Sequence, residues 1–219
     1  MYGRLVTRIA PVVVAATVAL AVPEAPLCQT AGTEGITQGE KFAKAGSTAL
    51  AATVDAKREV EATLIAYNAL VQQPSKDAKG DYKKLLKTLE RANAKAAKVK
   101  PLADTMSVES EAYYKIWAAQ VANITDTALR ARGEGRIAAS RGEYDGILVK
   151  LRDAGAALAP IVKDLTDQIN FLGSDLRPEA LASLKDHAAK LNAQWQEVFS
   201  RTDGAVTAAN TFFAPLRAK

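Results

Sequence analysis

The side chains able to do chemistry are few and far apart. His187 is the single histidine and Cys28 the single cysteine among 219 residues. One histidine cannot supply the paired Glu-x-x-His motifs with which helical bundles hold two metal ions, nor a histidine-rich zinc site. His187 therefore reads as a solvent-flanking residue. One cysteine forms no disulfide within the chain. Asp104, Glu109 and Glu111 lie close together in sequence, and paired carboxylates can act in acid–base catalysis. The expected role of these three is a solvated helix face. Trp117 and Trp195 are expected to fill core positions. Arg130, Arg132 and Arg136 flank Gly133 and Gly135; such a cationic group suits lipid headgroups or peptidoglycan carboxylates, or simply the solvated end of a bundle. Gly-rich phosphate loops, nucleophile elbows and zinc-ligand spacings are missing from the sequence. No catalytic, cofactor-binding or metal-ligating residue is assigned, no cofactor is expected, and the chain is read as non-enzymatic.

The elements that carry these residues follow from composition and spacing. Hydrophobic residues make up 48% of the chain and aromatics 6%, and much of the apolar share is alanine. Each alanine buries little area at about 25 cal/mol per Å². Such a core suits helices that approach closely, whereas sheets need β-branched and aromatic strands. The formal charge is +5. Past residue 27 there remain 27 basic and 23 acidic side chains, a balance of +4. Basic runs such as Lys95–Lys100 are interleaved with alanine. There is no basic patch with interleaved aromatics, so nucleic acid is not an expected partner.

The amino terminus reads as a targeting segment. Arg4 and Arg8 form a positive region, Ile9 to Val22 is apolar without a charge, and Ala19-Leu20-Ala21 is a small-x-small cleavage site. The apolar stretch is shorter than the roughly 20 residues of a comfortable membrane span. Residues 1–27 are therefore expected to be a signal peptide, and two maturation routes fit. Cleavage after Ala21 would release a soluble periplasmic protein. Cleavage before Cys28 would leave that thiol as a lipid-attachment site, anchoring the chain to a leaflet. Leu27 stands where the lipoprotein peptidase favours a small residue. Residues 28–39 contain three glycines and three threonines and are expected to form a tether.

Residues 40–215 are expected to form one helical domain, because apolar residues recur there every three or four positions. One run is Tyr144, Leu148, Leu151, Gly155, Leu158, continuing through Val162 to Leu172. A second passes from Leu181 through Ala188 and Trp195 to Phe212. A third passes from Tyr82 through Ala96, Val99 and Ala103 to Ile124, and a fourth from Phe42 through Gly46 to Val71. Such heptads imply a coiled coil or bundle. Gln73-Pro74-Ser75 ends the first helix, and Gly173 suits the left-handed position that ends the third. Pro178 fits the first turn of a fourth helix, capped by Asp175 or Ser174. Between the second and third helices, a turn at Asn123–Asp126 matches helix lengths better than one at Gly133–Gly135. It gives about 46 residues to each of those two helices and about 37 to the first and fourth. The expected fold class is all-α: an elongated antiparallel up-down-up-down four-helix bundle, with helices two and three longest and projecting as a glycine-containing tip. Pro101 and Pro160 are expected to kink their helices.

Several stretches then resemble one family. They are Cys28-Gln29-Thr30, Phe42-Ala43-Lys44, Asp126 to Arg130, Tyr144-Asp145, Pro160-Ile161-Val162, Asp167 to Leu172 and Ala180 to Leu184. Together they resemble the bacterial domain-of-unknown-function 2959 family over residues 28–215. The resemblance implies a secreted or lipid-anchored helical protein, strengthens the reading of Cys28 as a lipid-attachment site, and supplies no activity and no site residues. The expected function is a structural or interaction protein of the cell envelope, periplasmic or lipid-anchored. Its partner would be another envelope protein, peptidoglycan or a membrane surface. The alternative is a helical bundle that binds or remodels a leaflet. The sequence does not fix the oligomeric state.

Overall fold

The computed structural model describes residues 27–217, with side-chain surroundings from residue 33 onward. The signal segment expected before Leu27 lies outside the described residues, as does the side chain of Cys28. The described residues contain helices and no strand. These are α1 (Leu27–Gln72), α2 (Ala78–Ala122), α3 (Thr127–Ser174), the short α4 (Pro178–Ser183), α5 (Lys185–Phe213) and a closing 3₁₀ turn at Ala214–Leu216. Four of the helices are long. At 1.5 Å per residue, the 48 residues of α3 extend about 70 Å.

The breaks have local causes. Pro74 cannot continue α1, which stops at Gln72. Asp77 caps α2 by accepting from the Gly80 N–H at 2.9 Å. Asp126 caps α3 by accepting from the Leu129 N–H at 2.9 Å, so Asn123–Asp126 is the second turn. The Arg130 Nε also donates to the Ile124 carbonyl at 2.9 Å, which ties that turn from the helix side.

Three expectations need correction. Residues 28–39 form no tether, because α1 begins at Leu27 and carries them as helix. Their glycines mark close approach: a methyl group at Gly35 would sit 2.7 Å from Gln120 Oε1, and one at Gly39 would sit 3.3 Å from the Tyr113 ring. In consequence α1 has 46 residues, one more than α2, and helices two and three are not the longest pair. Second, Gly173 does not adopt a left-handed conformation, since no glycine among the described residues has positive φ. The helix runs on to Ser174, and Gly173 instead makes room for Tyr82, whose hydroxyl would lie 2.6 Å from an added methyl. Third, the last helix is divided at Leu184 (φ −93°, ψ −3°). Neither Asp175 nor Ser174 caps α4; Arg177 occupies that position without a side-chain cap, and Pro178 opens the helix. Asp175 instead accepts from the Arg177 N–H at 2.9 Å and from its guanidinium at 2.7 Å.

Polar pairs record how the helices lie against one another. Along α1 and α2, Gln38 meets Glu109, Asp55 meets Lys95 and Glu59 meets Arg91, so numbers rise on one helix as they fall on the other. Asn68 and Asn192 exchange two hydrogen bonds between α1 and α5, at 2.7 and 3.1 Å. Tyr67 donates to Gln168 on α3. α1 and α2 share the most extensive contact, α3 packs chiefly on α5, and the contact between α2 and α3 is thinner.

A candidate cavity between two cores

The buried side chains form two separate clusters rather than one continuous core. One gathers Leu64, Tyr67, Leu85, Ile169, Leu172 and Leu191 near the α1–α2 turn. The other gathers Phe42, Met106, Tyr114, Tyr144, Ile147 and Phe213 towards the opposite end. In the second, Phe42 meets Tyr144 and Phe213 edge-on, each pair of ring centres 5.0 Å apart. Edge-to-face geometry sets the positive rim of one ring against the negative face of another. Burial pushes the Tyr114 hydroxyl up to about 12, because the phenolate would lose its water; its oxygen stays 3.1 Å from Ser140 Oγ.

Between the clusters lies a cavity of about 360 Å³. Its floor comes from buried residues of α1 and α5, including Leu50, Ala56, Trp195 and Val198. Its walls are Ala96, Val99 and Ala103 on α2, and Leu148, Leu151 and Leu158 on α3. These wall residues belong to the periodic seams, yet none is fully buried. On α3 the protein-facing positions are Ile147, Ala154 and Ile161, one residue ahead of the seam read from spacing. In this stretch Leu148, Leu151, Gly155 and Leu158 of the spacing-derived seam line the cavity, with the buried Ala154 beside them. Asp104, Ser107, Arg152 and Gly155 line the cavity and are exposed, which places its mouth between α2 and α3. Pro101 and Pro160 fall beside these walls, inside helices that continue through them.

The charges at the mouth are unequally partnered. Asp104 accepts from Lys100 at 2.8 Å. Lys57 pairs with Asp203 and lies 3.2 Å above the Phe199 ring centre. Arg152 forms no ion pair among the described residues. Trp195, 3% exposed, lines the cavity floor, and its buried N–H has no hydrogen-bond partner among the described residues.

The remaining candidates are dispersed. His187 is exposed beside the buried Ala188. Trp195 fills the interior, whereas Trp117 is half-buried beside Tyr113, with ring centres 5.6 Å apart. Glu109 accepts from Gln38 at 2.5 Å and Glu111 from Arg141 at 2.5 Å, so these two and Asp104 each have a different partner. Arg130 braces the turn, Arg132 is exposed, and Arg136 borders a broad groove with Tyr113, Trp117 and Arg217. That groove opens where α5 ends at Phe213 while α1, α2 and α3 share the remaining length. No helix among the described residues is long and apolar enough to cross a membrane.

These features define an all-helical protein with two aromatic and aliphatic cores and an apolar cavity between them. The chain belongs to the family described as "Protein of unknown function (DUF2959)", whose model matches residues 29–216. No curated protein and no solved structure matches the chain.

Proposed function

We propose that this chain is a non-enzymatic structural or interaction protein of the bacterial cell envelope, in which the long helices form an antiparallel up-down-up-down four-helix bundle. The observation that carries this reading is the set of polar pairs between helices. Gln38–Glu109, Tyr67–Gln168 and Asn68–Asn192 spend their hydrogen-bonding groups on one another. Their role is register: a slip of one helix would leave each group unpaired, at about 1–3 kcal/mol per buried group. Helices held in one register from Gln38 to Asn68, about 45 Å along α1, suit a spacer or an extended interaction surface. The positive, apolar and small-residue segments before Cys28 support export, and Cys28 is the residue that would carry a lipid anchor.

The direct test is fractionation of cells producing the full chain, with fatty-acid labelling of the native protein and of Cys28→Ser. A processed product in the envelope fraction is expected, with label lost in Cys28→Ser if the chain is anchored. An unprocessed cytosolic product would overturn the reading. Proximity crosslinking in intact cells then reads the partner: an envelope protein or peptidoglycan strand along the helices is expected.

The cavity favours a second reading, a bundle that binds or remodels a leaflet. Co-sedimentation of the non-lipidated protein with anionic vesicles separates the two. Salt-insensitive binding supports the leaflet reading, and no binding supports the spacer.

A further inference from the structure

We infer that the central cavity is a binding site for one long-chain fatty acid, its hydrocarbon tail between α2 and α3 and its carboxylate at Arg152. This goes beyond the envelope role and does not depend on it.

Three observations carry the inference. The first is the chemistry of the walls. Val99, Leu148, Leu151 and Leu158 continue the apolar seams of their helices but are left partly uncovered by protein. The polar lining groups Asp104, Ser107 and Arg152 are exposed, so a water against the apolar stretch between them finds few of the two to four polar partners it needs. A hydrocarbon occupant would complete the packing that the seams begin.

The second is shape. From Leu148 to Leu158 the α3 wall runs about 15 Å at 1.5 Å per residue. A volume of about 360 Å³ over that length takes up the greater part of one extended fatty-acid chain, whose carboxyl end remains in the open mouth. It is about twice the ~150 Å³ apolar cavity that accommodates benzene. Small side chains at Ala96, Ala103 and Gly155 set the width, and an added methyl at Gly155 would meet nothing within 4 Å.

The third is charge at the mouth. Lys57 and Asp104 are neutralised by Asp203 and Lys100, which leaves Arg152 as the cavity-lining cation without an ion pair among the described residues. A guanidinium matches a carboxylate in two parallel hydrogen bonds. An amphiphile entering from solvent would thus place its tail on the seams and its head at the rim.

The test uses the full chain carrying Trp117→Phe, so that Trp195 reports alone from the cavity floor. Dibromostearate, kept below its micelle concentration, should quench Trp195 saturably at one molecule per chain. Gly155→Leu and, independently, Ala96→Leu fill the slot from exposed positions and should abolish quenching while helicity is retained and the thermal midpoint does not fall. Arg152→Gln should weaken dibromostearate binding about fivefold, the scale of an exposed ion pair, and should leave the brominated alcohol unchanged. No saturable quenching would overturn the proposal, as would equal quenching in both filled variants. Equal affinity for acid and alcohol in the native protein would overturn the role of Arg152. Quenching only by vesicles of brominated phosphatidylglycerol, with none by the free acid, would overturn the fatty-acid site in favour of membrane insertion.

Discussion

Alanine at Gly46 tests the packing of the aromatic core through a change of one methyl group. In an exposed helix interior, glycine to alanine stabilises by about 1 kcal/mol. At Gly46 the added methyl would lie 2.7 Å or less from three carbons of the Phe213 ring. Phe213 is fully buried and held edge-on by Phe42 and Phe212, so the ring has no free direction in which to swing. Overpacking of this kind costs about 1–3 kcal/mol. The helix gain offsets part of it, leaving a net loss of up to about 2 kcal/mol, or roughly 4–8 °C in the thermal midpoint for a chain of this size. Gly142→Ala is the internal control: nothing lies within 4 Å of its added methyl, and it should raise the midpoint by about 2–4 °C. The assay is a double-mutant cycle followed by circular dichroism. In a Phe213→Ala background the obstruction is gone, and Gly46→Ala should become stabilising. The same stabilisation from Gly46→Ala in both backgrounds would refute the packing argument.

Other consequences follow from particular contacts. Asn68→Ala strands one amide of the α1–α5 pair and should cost about 1–3 kcal/mol; Asn68→Leu combined with Asn192→Leu should cost less than the sum of the two single changes, as read by urea denaturation. Trp195→Ala should cost about 3–5 kcal/mol, and a loss below about 1 kcal/mol would mean that Trp195 is not the floor of the cavity. Burial pushes Tyr67 and Tyr114 up to about 12. Their contribution to stability is then complete below the ordinary tyrosine value near 10 and is lost as pH rises from about 10 through about 12. Unfolding free energy measured across that range should fall less steeply in Tyr67→Phe than in the native chain.

Much of the architecture was legible because apolar spacing and turn chemistry agreed. All ten seam positions read on the last helical stretch, from Leu181 to Phe212, are buried. The turn at Asn123–Asp126 followed from helix lengths, and Asp126 caps the helix that leaves it. The errors came from residues with two physical uses. Glycine and threonine before residue 40 read as a tether, whereas Gly35 and Gly39 let α2 side chains approach a continuous helix. Gly173 likewise serves Tyr82 rather than a left-handed turn. On α3, neighbouring positions are both apolar or small: Ile147 beside Leu148, Ala154 beside Gly155, Ile161 beside Val162. Spacing alone cannot decide which of two adjacent stripes meets protein. Leu148, Leu151 and Leu158 pack only partly against the two cores and also line the cavity, and for that reason the cavity could not be read beforehand. Its signal was the small residues Ala96, Ala103 and Gly155 on seams otherwise built from larger ones.

Two packed cores are joined by a stretch in which α2 and α3 border the cavity. Hydrogen–deuterium exchange resolved along those helices tests this most directly, because local opening is easiest where buried contacts are fewest. Amides of residues 96–104 and 150–158 should exchange faster than those of 85–92 and 161–172, and should become protected when stearate is added. Uniform protection along both helices, unchanged by stearate, would contradict the account.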